Sequence, residues 1–352
     1  MLANEAQMLE RMWFPVARVQ DVEAGRPFAG QLLGRRLVVF SGGGEIAVAL
    51  DRCPHRGARL SQGRMSGEAL ECPYHGWRWQ ADGHCALVPS QPGAHPGATL
   101  ATLPVRVRFG LVWTALAEPG LDQPPSIPET DDAEGGWEFA DGAWFEVACG
   151  LRSITENFRD SSHFAFVHRD TFGDVNPEVP PYTVAVDGRR LSWEFPLTFG
   201  SAWAVDGGAD DKYRFGAVDG EGRGGDTEVV PLHYRFELPS LAYVYTEHEG
   251  KSRRLVCQAA APLDTESARC RVFFFVAADA AFRERFGDLA KQVAIETKVF
   301  SEDVPIVENL DPTEAPLDLE GQAHVRADRY SIAYRKLYGQ LIDDFEGSRT
   351  GQ

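Results

Sequence analysis

Short stretches in which apolar and polar residues alternate fill the chain between residues 28 and 114. A period of two is typical of strands that are buried on one face. Glycine-containing turns at 42–44 and 81–83 separate these stretches, as expected for hairpins. After a short N-terminal helix at 1–12, the pattern therefore predicts a small antiparallel β domain. Its predicted strands lie at 36–40, 46–51, 70–72, 77–80, 105–109 and 111–114.

Longer alternating stretches follow in the second half of the chain, and two helical patterns close it. Strands flanked by helices predict an α+β domain with an antiparallel sheet and helices on one face, a helix-grip-like arrangement. A stretch rich in glycine and aspartate at 201–227 is predicted to be a mobile loop. The predicted strands lie at 182–186, 191–195, 232–237, 241–247, 255–261 and 271–278, and the predicted helices at 280–300 and 322–345.

Prolines mark the joint between the two patterns. Pro119, Pro124, Pro125 and Pro128 lie in an acidic stretch at 118–132, which predicts a linker. A chain of 352 residues is long enough for two domains with full cores. We divide it into a first domain at 1–117 with the N-terminal helix, a linker at 118–144 and a second domain at 145–352.

Charge and cysteine content exclude several classes of protein. The formal net charge of −17 disfavours nucleic acid or an anionic membrane as a partner. The longest strongly apolar run, at 272–278, is far too short to span a membrane, and residues 1–12 do not resemble a signal peptide. Six cysteines in a chain of this length do not indicate a disulfide scaffold. These features predict a cytoplasmic protein.

The strongest chemical signal is a pair of short motifs that each combine one cysteine and one histidine. Cys53 and His55 form the first motif, and Cys72 and His75 form the second. Two such loops facing each other can hold a 2Fe–2S cluster, with both thiolates on one iron and both imidazoles on the other. A Cys2His2 zinc site is the alternative, but zinc sites favour two cysteines close together and two histidines close together.

A second group of polar residues lies in the apolar segment 156–168. Asn157, Asp160 and His163 recur every three residues and share one face of a helix that a capping box predicts to begin near Ser153. His168 follows His163 by five residues, so their rings converge only across a π-like turn or a helix end. Taken alone, the segment also fits a buried helix with two satisfied histidines.

Both motifs resemble those of the Rieske non-haem iron oxygenases. Cys53-x-His55-x16-Cys72-x2-His75-Gly76-Trp77 resembles the Rieske motif, and the pattern N-x2-D-x2-H-x4-H at 157–168 resembles the motif of the catalytic domain. The resemblance covers nearly the whole chain. Among subfamilies, the chain is similar to the α-subunits of monooxygenases and of O- or N-demethylases. The resemblance implies a Rieske domain followed by a catalytic domain.

The resemblance also implies a mononuclear Fe(II) held by His163, His168 and Asp303. This facial triad leaves positions open for oxygen and substrate on one side of the iron. Glu302 is the alternative carboxylate ligand, because spacing alone does not distinguish it from Asp303. The family position favours Asp303.

In this family, the aspartate at position 160 connects the catalytic His163 to the Rieske His75 of a neighbouring subunit in a head-to-tail ring. The resemblance therefore implies a homotrimer in which Asp160, with Asn157 of the same motif, serves catalysis. A carboxylate on a helix surface is the alternative for Asp160.

The function implied is that of an oxygenase component acting with O2 and an NAD(P)H-dependent reductase, with or without a ferredoxin. It would hydroxylate a small cyclic or aromatic substrate or remove a methyl group from its oxygen or nitrogen. Ring cis-dihydroxylation is the alternative reaction. A 2Fe–2S electron carrier or a ligand-binding module would need no iron triad. The chain has no dinucleotide-binding or flavin motif, so the reductase must be a separate chain.

Helical spacing places Glu296 and Val299 on the same face as Asp303, so both are predicted to line the substrate cavity. A carboxylate in an apolar cavity needs a hydrogen-bond donor. An internal Arg or Lys, or the substrate itself, would supply it, unless the helix turns Glu296 to solvent.

Five arginines surround the cluster loops and outnumber the acidic residues there. This basic rim is predicted to bind an acidic reductase or ferredoxin, or else acidic residues of the next subunit. The rim consists of Arg52, Arg56, Arg59, Arg64 and Arg78.

Overall fold

A computed structural model describes residues 3–23, 25–131, 135–199, 205–206, 212–213, 228–248, 252–287 and 289–350. The chain folds as two compact units. One unit comprises Met1–Pro124 and Ala261–Glu266, and the other comprises Pro125–Ala260 and Ser267–Gln352. None of the helices described has the length and apolar character needed to cross a membrane.

The first unit contains three small sheets, with strand orders β1-β11-β10, β2-β3-β4-β9 and β5-β6-β7-β8. All paired strands in these sheets are antiparallel, which confirms the predicted small β domain. Its helices and strands are α1 (Ala3–Glu10), β1 (Phe14–Arg18), α2 (Val19–Glu23), β2 (Phe28–Leu32), β3 (Arg35–Gly42), β4 (Glu45–Leu50), β5 (Arg64–Ser66), β6 (Ala69–Glu71), β7 (Arg78–Trp79), β8 (Cys85–Leu87), β9 (Thr102–Leu103), β10 (Val105–Arg108) and β11 (Leu111–Thr114).

The core of the first unit lies directly beneath the two cysteine–histidine loops. Cys53 and Cys72 belong to the same buried cluster as Phe40, Leu70 and Trp79. The loop carrying Cys72 joins β6 to β7, and the loop carrying Cys53 follows β4. Burial of the cysteines therefore holds both loops at the ends of these strands.

A seven-stranded antiparallel sheet, in the order β12-β20-β19-β18-β17-β14-β13, forms the second unit and confirms the predicted α+β fold. Val205–Asp206 and Lys212–Tyr213 form a separate two-stranded sheet. The elements are β12 (Glu138–Val147), α3 (Leu151–Asn157), α4 (Phe164–Val167), α5 (Arg169–Phe172), β13 (Ala185–Asp187), β14 (Arg190–Phe199), β15 (Val205–Asp206), β16 (Lys212–Tyr213), β17 (Glu228–Glu237), β18 (Leu241–His248), β19 (Ser252–Pro262), β20 (Cys270–Ala278), α6 (Ala280–Phe286), α7 (Leu289–Val307) and α8 (Arg329–Thr350).

Aromatic packing sets the position of α7, which carries Asp303. The Phe300 ring lies 5.0 Å from the Phe145 ring of β12 and 4.5 Å from the Phe274 ring of β20. Phe300 is fully buried between these two strands. Burial of an aromatic side chain is one of the larger stabilising contributions available to a helix on a sheet. It fixes the rotation of α7 and hence the face on which Asp303 lies.

Several predicted boundaries differ from the structure. Helix α3 begins at Leu151 with Gly150 as its N-cap, so the capping box at Ser153 was wrong. The helix predicted at 280–300 is two helices, because Gly287 ends α6 with a φ of 81°. Strand β12 begins inside the stretch predicted to be a linker. Most of the predicted loop at 201–227 lies outside the described residues.

Candidate metal centres

The two cysteine–histidine loops have the same backbone construction. In each loop, the cysteine N–H donates a hydrogen bond of 2.8 Å to the carbonyl five residues further on. In each, a glycine N–H donates back to the cysteine carbonyl, at 2.8 Å for Gly57 and 3.1 Å for Gly76. These glycines have φ values of 75° and 68°, which L side chains rarely adopt. The sequence therefore builds two matched turns, each presenting one cysteine and one histidine.

The side chains of these turns fit the ligand set of a 2Fe–2S cluster. The Cys53 and Cys72 thiols are buried, and the His55 and His75 ring centroids lie 4.7 Å apart. Trp77 stacks on His55 with ring centroids 4.3 Å apart. The buried His55 Nδ1 has no hydrogen-bond partner in the described chain, as expected of a nitrogen that binds a metal. Partial burial, and then the neighbouring His75, lowers the pKa of His55 and favours the neutral imidazole that metals bind.

Exposure differs between the two kinds of ligand. His75 is exposed, and its neighbour Tyr74 retains 66% of its accessible surface, whereas both cysteines lie inside. The histidine side of the site therefore faces outward, which suits electron transfer to or from another group. Of the predicted basic rim, Arg64 and Arg78 both pair with Glu71, at 2.6 and 3.0 Å.

His75→Ala should abolish the visible absorption bands of a Rieske cluster while the second unit stays folded, because the change removes one of four ligands at an exposed position. Visible absorption, iron content and circular dichroism would measure this. Tyr74→Ala, a change at the exposed neighbouring ring, should leave the spectrum intact. A colourless wild-type protein that binds a single zinc ion would contradict the cluster.

Helix breaks bring the second pair of histidines together. Helix α3 ends at Asn157, and His163 is the N-cap of α4. His168 joins α4 to α5 with φ −102° and ψ 22°, which is not helical geometry. The prediction of one helix face shared by Asn157, Asp160 and His163 was therefore wrong, because the helix ends before Asp160. The expectation that a helix end separates the two histidines agrees with the structure.

His163, His168 and Asp303 form the one group in the described chain whose atoms converge as ligands of a single metal ion. The two Nε2 atoms lie 3.2 Å apart, and each lies 3.4 Å from Asp303 Oδ1. Two ligands about 2.1 Å from a metal and at right angles to each other are about 3.0 Å apart. The triangle therefore fits three ligands on one face of an ion.

Hydrogen bonds orient each member of this triangle. The Nδ1 atom of His168 lies 2.8 Å from a carboxylate oxygen of Glu302, whose other oxygen accepts a bond from Thr171. Asn157 Nδ2 donates to Asp303 Oδ1 at 3.2 Å. Glu302 therefore orients a histidine, and its neighbour Asp303 is the carboxylate that reaches the centre of the triangle.

Asp160 fixes the other histidine and remains partly exposed. Its Oδ2 lies 3.1 Å from His163 Nδ1, and its Oδ1 accepts bonds from the backbone and hydroxyl of Ser162 at 2.9 and 2.6 Å. Burial raises the pKa of Asp160, but the bonds from His163 and Ser162 outweigh burial and hold that pKa below its usual range. One third of the side chain is accessible, on a cavity of about 510 Å³. Asp160 is therefore an ionised group between the triangle and the protein surface.

A second, smaller cavity of about 50 Å³ touches all three members of the triangle. Its walls are mainly aromatic and aliphatic, as in most small-molecule sites, and include Tyr234 of β17, Val244 of β18 and Val256 of β19. Glu296 and Val299 of α7 also line it.

Sequence reasoning allowed for an internal Arg or Lys beside Glu296 but did not identify which residue it is. Arg254 Nη2 donates to Glu296 Oε1 at 3.2 Å, so an internal arginine neutralises the carboxylate. Arg254 lies two positions before Val256, which lines the cavity, so strand alternation places Arg254 on the inward face. This alternation was the available signal.

The fold and the two centres together define the oxygenase component of a two-centre iron enzyme. Residues 12–104 match the Rieske [2Fe-2S] domain family, and residues 147–344 match the Vanillate O-demethylase oxygenase C-terminal domain family. The chain belongs to the Rieske non-haem iron oxygenases, which are oxidoreductases using a 2Fe–2S cluster and a mononuclear iron with a separate reductase.

Three proteins of Pseudomonas species are similar in sequence to this chain, over different shares of its length. The chain is 30% identical to methylxanthine N1-demethylase NdmA of Pseudomonas putida over 99% of this chain and 93% of that protein. A solved NdmA structure aligns with a TM-score of 0.76 at 26% identity, covering 98% of this chain and 94% of that one. Identity with the vanillate O-demethylase oxygenase subunit of a Pseudomonas species is 33%, over 46% of this chain and 49% of the subunit. Identity with oxidoreductase NdmD of P. putida is 38%, over 35% of this chain and 21% of NdmD.

Proposed function

We propose that this chain removes a methyl group from a nitrogen of a small heterocycle. The observation that carries the proposal is the similarity to a methylxanthine N1-demethylase along 99% of the chain. Similarity to the vanillate O-demethylase subunit covers 46% and makes O-demethylation the second candidate.

In the proposed reaction, one atom of O2 enters a C–H bond of the N-methyl group. Two electrons from the reductase and two protons reduce the other oxygen atom to water. The resulting N-hydroxymethyl compound then breaks its bond between carbon and nitrogen, which releases formaldehyde and leaves a hydrogen on the nitrogen.

Different residues of the second unit would have different roles in this reaction. His163, His168 and Asp303 would hold iron at the wall of the apolar cavity that all three side chains line. When bound, the cluster and the iron supply one-electron transfer and oxygen activation. Apolar walls would exclude water and hold the methyl group near the three ligand side chains. Glu302 and Asn157 keep two of the ligands in place.

We also propose a homotrimer in which Asp160 receives electrons from His75 of the neighbouring subunit. Exposure of His75 on the first unit and of the Asp160 carboxylate on the second supports this route. A path across subunits requires both groups at a surface. The cytoplasm is the proposed location, where reducing conditions suit six cysteines that form no disulfide in the structure. The charge of −17 argues against nucleic acid and anionic membranes as partners.

Oxygen uptake and formaldehyde release with a panel of methylated compounds test the reaction. The protein would be reconstituted with NdmD and NADH or NADPH and given N-methylated purinediones, aryl methyl ethers and unmethylated aromatic rings. The proposal expects one formaldehyde per O2 with an N-methyl compound. Formaldehyde from ethers alone would establish O-demethylation, and a cis-diol without formaldehyde would establish ring dihydroxylation.

Salt should weaken turnover driven by a reductase more than turnover driven by a small neutral reductant. Arg52, Arg56 and Arg59 are exposed, and in the described chain none makes an ion pair. Attraction between such a surface and an acidic partner is screened over about 10 Å at 0.1 M salt. Comparing both assays between 0.02 and 0.3 M salt, roughly one decade around that screening range, measures the effect. Equal salt dependence would exclude docking of the reductase at this rim.

A further inference from the structure

Glu296 is a buried carboxylate on the wall of an otherwise mainly apolar cavity. It retains 7% of its accessible surface, and it lies two turns before Asp303 on α7. Seven residues of helix correspond to about 10 Å along the axis. This separation is comparable to the length of a small bicyclic ring that carries a methyl group at one end and a hydrogen bond at the other.

Arg254 and Gln292 hold one side of this carboxylate. The Arg254 guanidinium donates from Nη1 to Gln292 Oε1 at 2.6 Å and from Nη2 to Glu296 Oε1 at 3.2 Å. Gln292 and Glu296 are one helical turn apart, so a single planar cation binds both. Arg254 retains only 2% of its accessible surface. The group is therefore rigid before any substrate enters.

The two carboxylate oxygens of Glu296 differ in their hydrogen bonding. No described residue donates a hydrogen bond to Oε2, although the side chain lines the cavity. A buried ion pair costs free energy relative to apolar side chains of similar volume. Packing alone therefore does not explain why Arg254 and Glu296 occupy these buried positions. Burial also raises the pKa of this carboxyl group, against the opposing effects of Arg254 and His168. Glu296 and the three proposed iron ligands line the same cavity, so this unused acceptor is available to a ligand that carries a donor.

We propose that Glu296 determines substrate specificity by accepting a hydrogen bond from a ring N–H of the substrate at Oε2. This inference rests on the proposed N-demethylation and adds that the preferred heterocycle is only partly methylated. A methyl group in place of that N–H would leave the carboxylate unpaired against an apolar group, which buried polar sites reject strongly. Arg254 and Gln292 are positioning residues for this carboxylate.

The test measures binding rather than turnover. Dissociation constants would be measured anaerobically for theobromine and theophylline, which each carry one ring N–H, and for caffeine, in which all of these nitrogens are methylated. Wild-type protein should bind at least one of the first two about tenfold or more tightly than caffeine, as expected for a hydrogen bond to a charged group. Glu296→Gln should reduce that ratio to less than about threefold, and Val299→Ala, on the same wall, should change all three constants by a similar factor.

Iron content and circular dichroism would confirm that each variant is folded. If Glu296→Gln unfolds because Arg254 loses its anion, the double variant Arg254→Gln/Glu296→Gln removes both charges. It should show the same reduced preference for the compounds with a ring N–H.

Equal wild-type affinities for all three compounds, or an unchanged ratio in the variants, would overturn the inference while leaving N-demethylation intact. A preserved ratio in a protein that releases no formaldehyde would instead overturn the proposed reaction alone. Failure to bind any of the three would contradict both.

Discussion

Asp160→Asn should retain both metal centres and bind substrate, yet its reductase-driven turnover should fall by about 100-fold. The Asp160 carboxylate contacts His163 Nδ1 at 3.1 Å but does not belong to the triangle of ligand atoms. Asparagine preserves the size of the side chain and removes the negative charge. Iron analysis, substrate titration and oxygen uptake would separate these effects. Ser162→Ala, which removes a hydroxyl donor to Asp160 Oδ1 at 2.6 Å, is the matched control and should lower turnover far less. Normal turnover of Asp160→Asn would exclude the carboxylate from the electron path.

Mixing two inactive variants tests whether that path crosses between subunits. Asp160→Asn chains keep a cluster, and His75→Ala chains keep Asp160. In a ring, the cluster of one chain can then donate electrons to the iron of the next chain. Randomly mixed trimers should recover about a quarter of wild-type activity. On average, one interface in four places the cluster of an Asp160→Asn chain against the Asp160 of a His75→Ala chain. Co-expression with two affinity tags would provide the mixed species. No recovery would place the path within one chain, and activity of a strictly monomeric wild-type protein would exclude the trimer.

Local spacing was sufficient to predict the first centre but not the second. Cys53, His55, Cys72 and His75 lie in two tight turns, and a turn of fixed length determines where its side chains point. Asp303 lies 135 residues after His168, and no periodicity links two such positions. Its assignment depended on resemblance to a family. The alternation of apolar and polar residues was likewise sufficient for most strands of both units. It missed the almost fully buried Phe14–Arg18, the short Phe28–Leu32, and Glu138–Val147, most of which lies in the predicted linker.

The features that sequence reasoning missed are those set by tertiary contacts. Helix α3 ends at Asn157, although the residues after it have no proline or glycine that would require an end. His163 and His168 instead find partners on α7 and on the segment before α4, and these contacts favour short helical turns over one continuous helix. Arg254 was missed in the same way, because its partner lies 42 residues later on a helix.

The adjacent carboxylates of α7 should have separable effects on iron. Asp303→Ala should lower the iron content from about three to about two per chain, because it removes one of three ligands from the mononuclear site. Glu302→Gln should retain the third iron at saturating concentration and weaken its binding by about 10- to 100-fold, because Glu302 only orients His168. Both variants should keep the Rieske absorption, which serves as an internal control for the first unit.

These two side chains are a matched pair, since they are neighbours on one helix and differ by one methylene group. Asp303 is buried, and its Oδ1 lies 3.4 Å from both Nε2 atoms, whereas the Glu302 oxygen lies 2.8 Å from the opposite nitrogen of His168. Iron titration of each variant, followed by metal analysis, gives the affinity and the stoichiometry separately. Loss of the third iron in Glu302→Gln together with its retention in Asp303→Ala would reverse the two roles. Equal loss in both would mean that the two carboxylates bind the ion together.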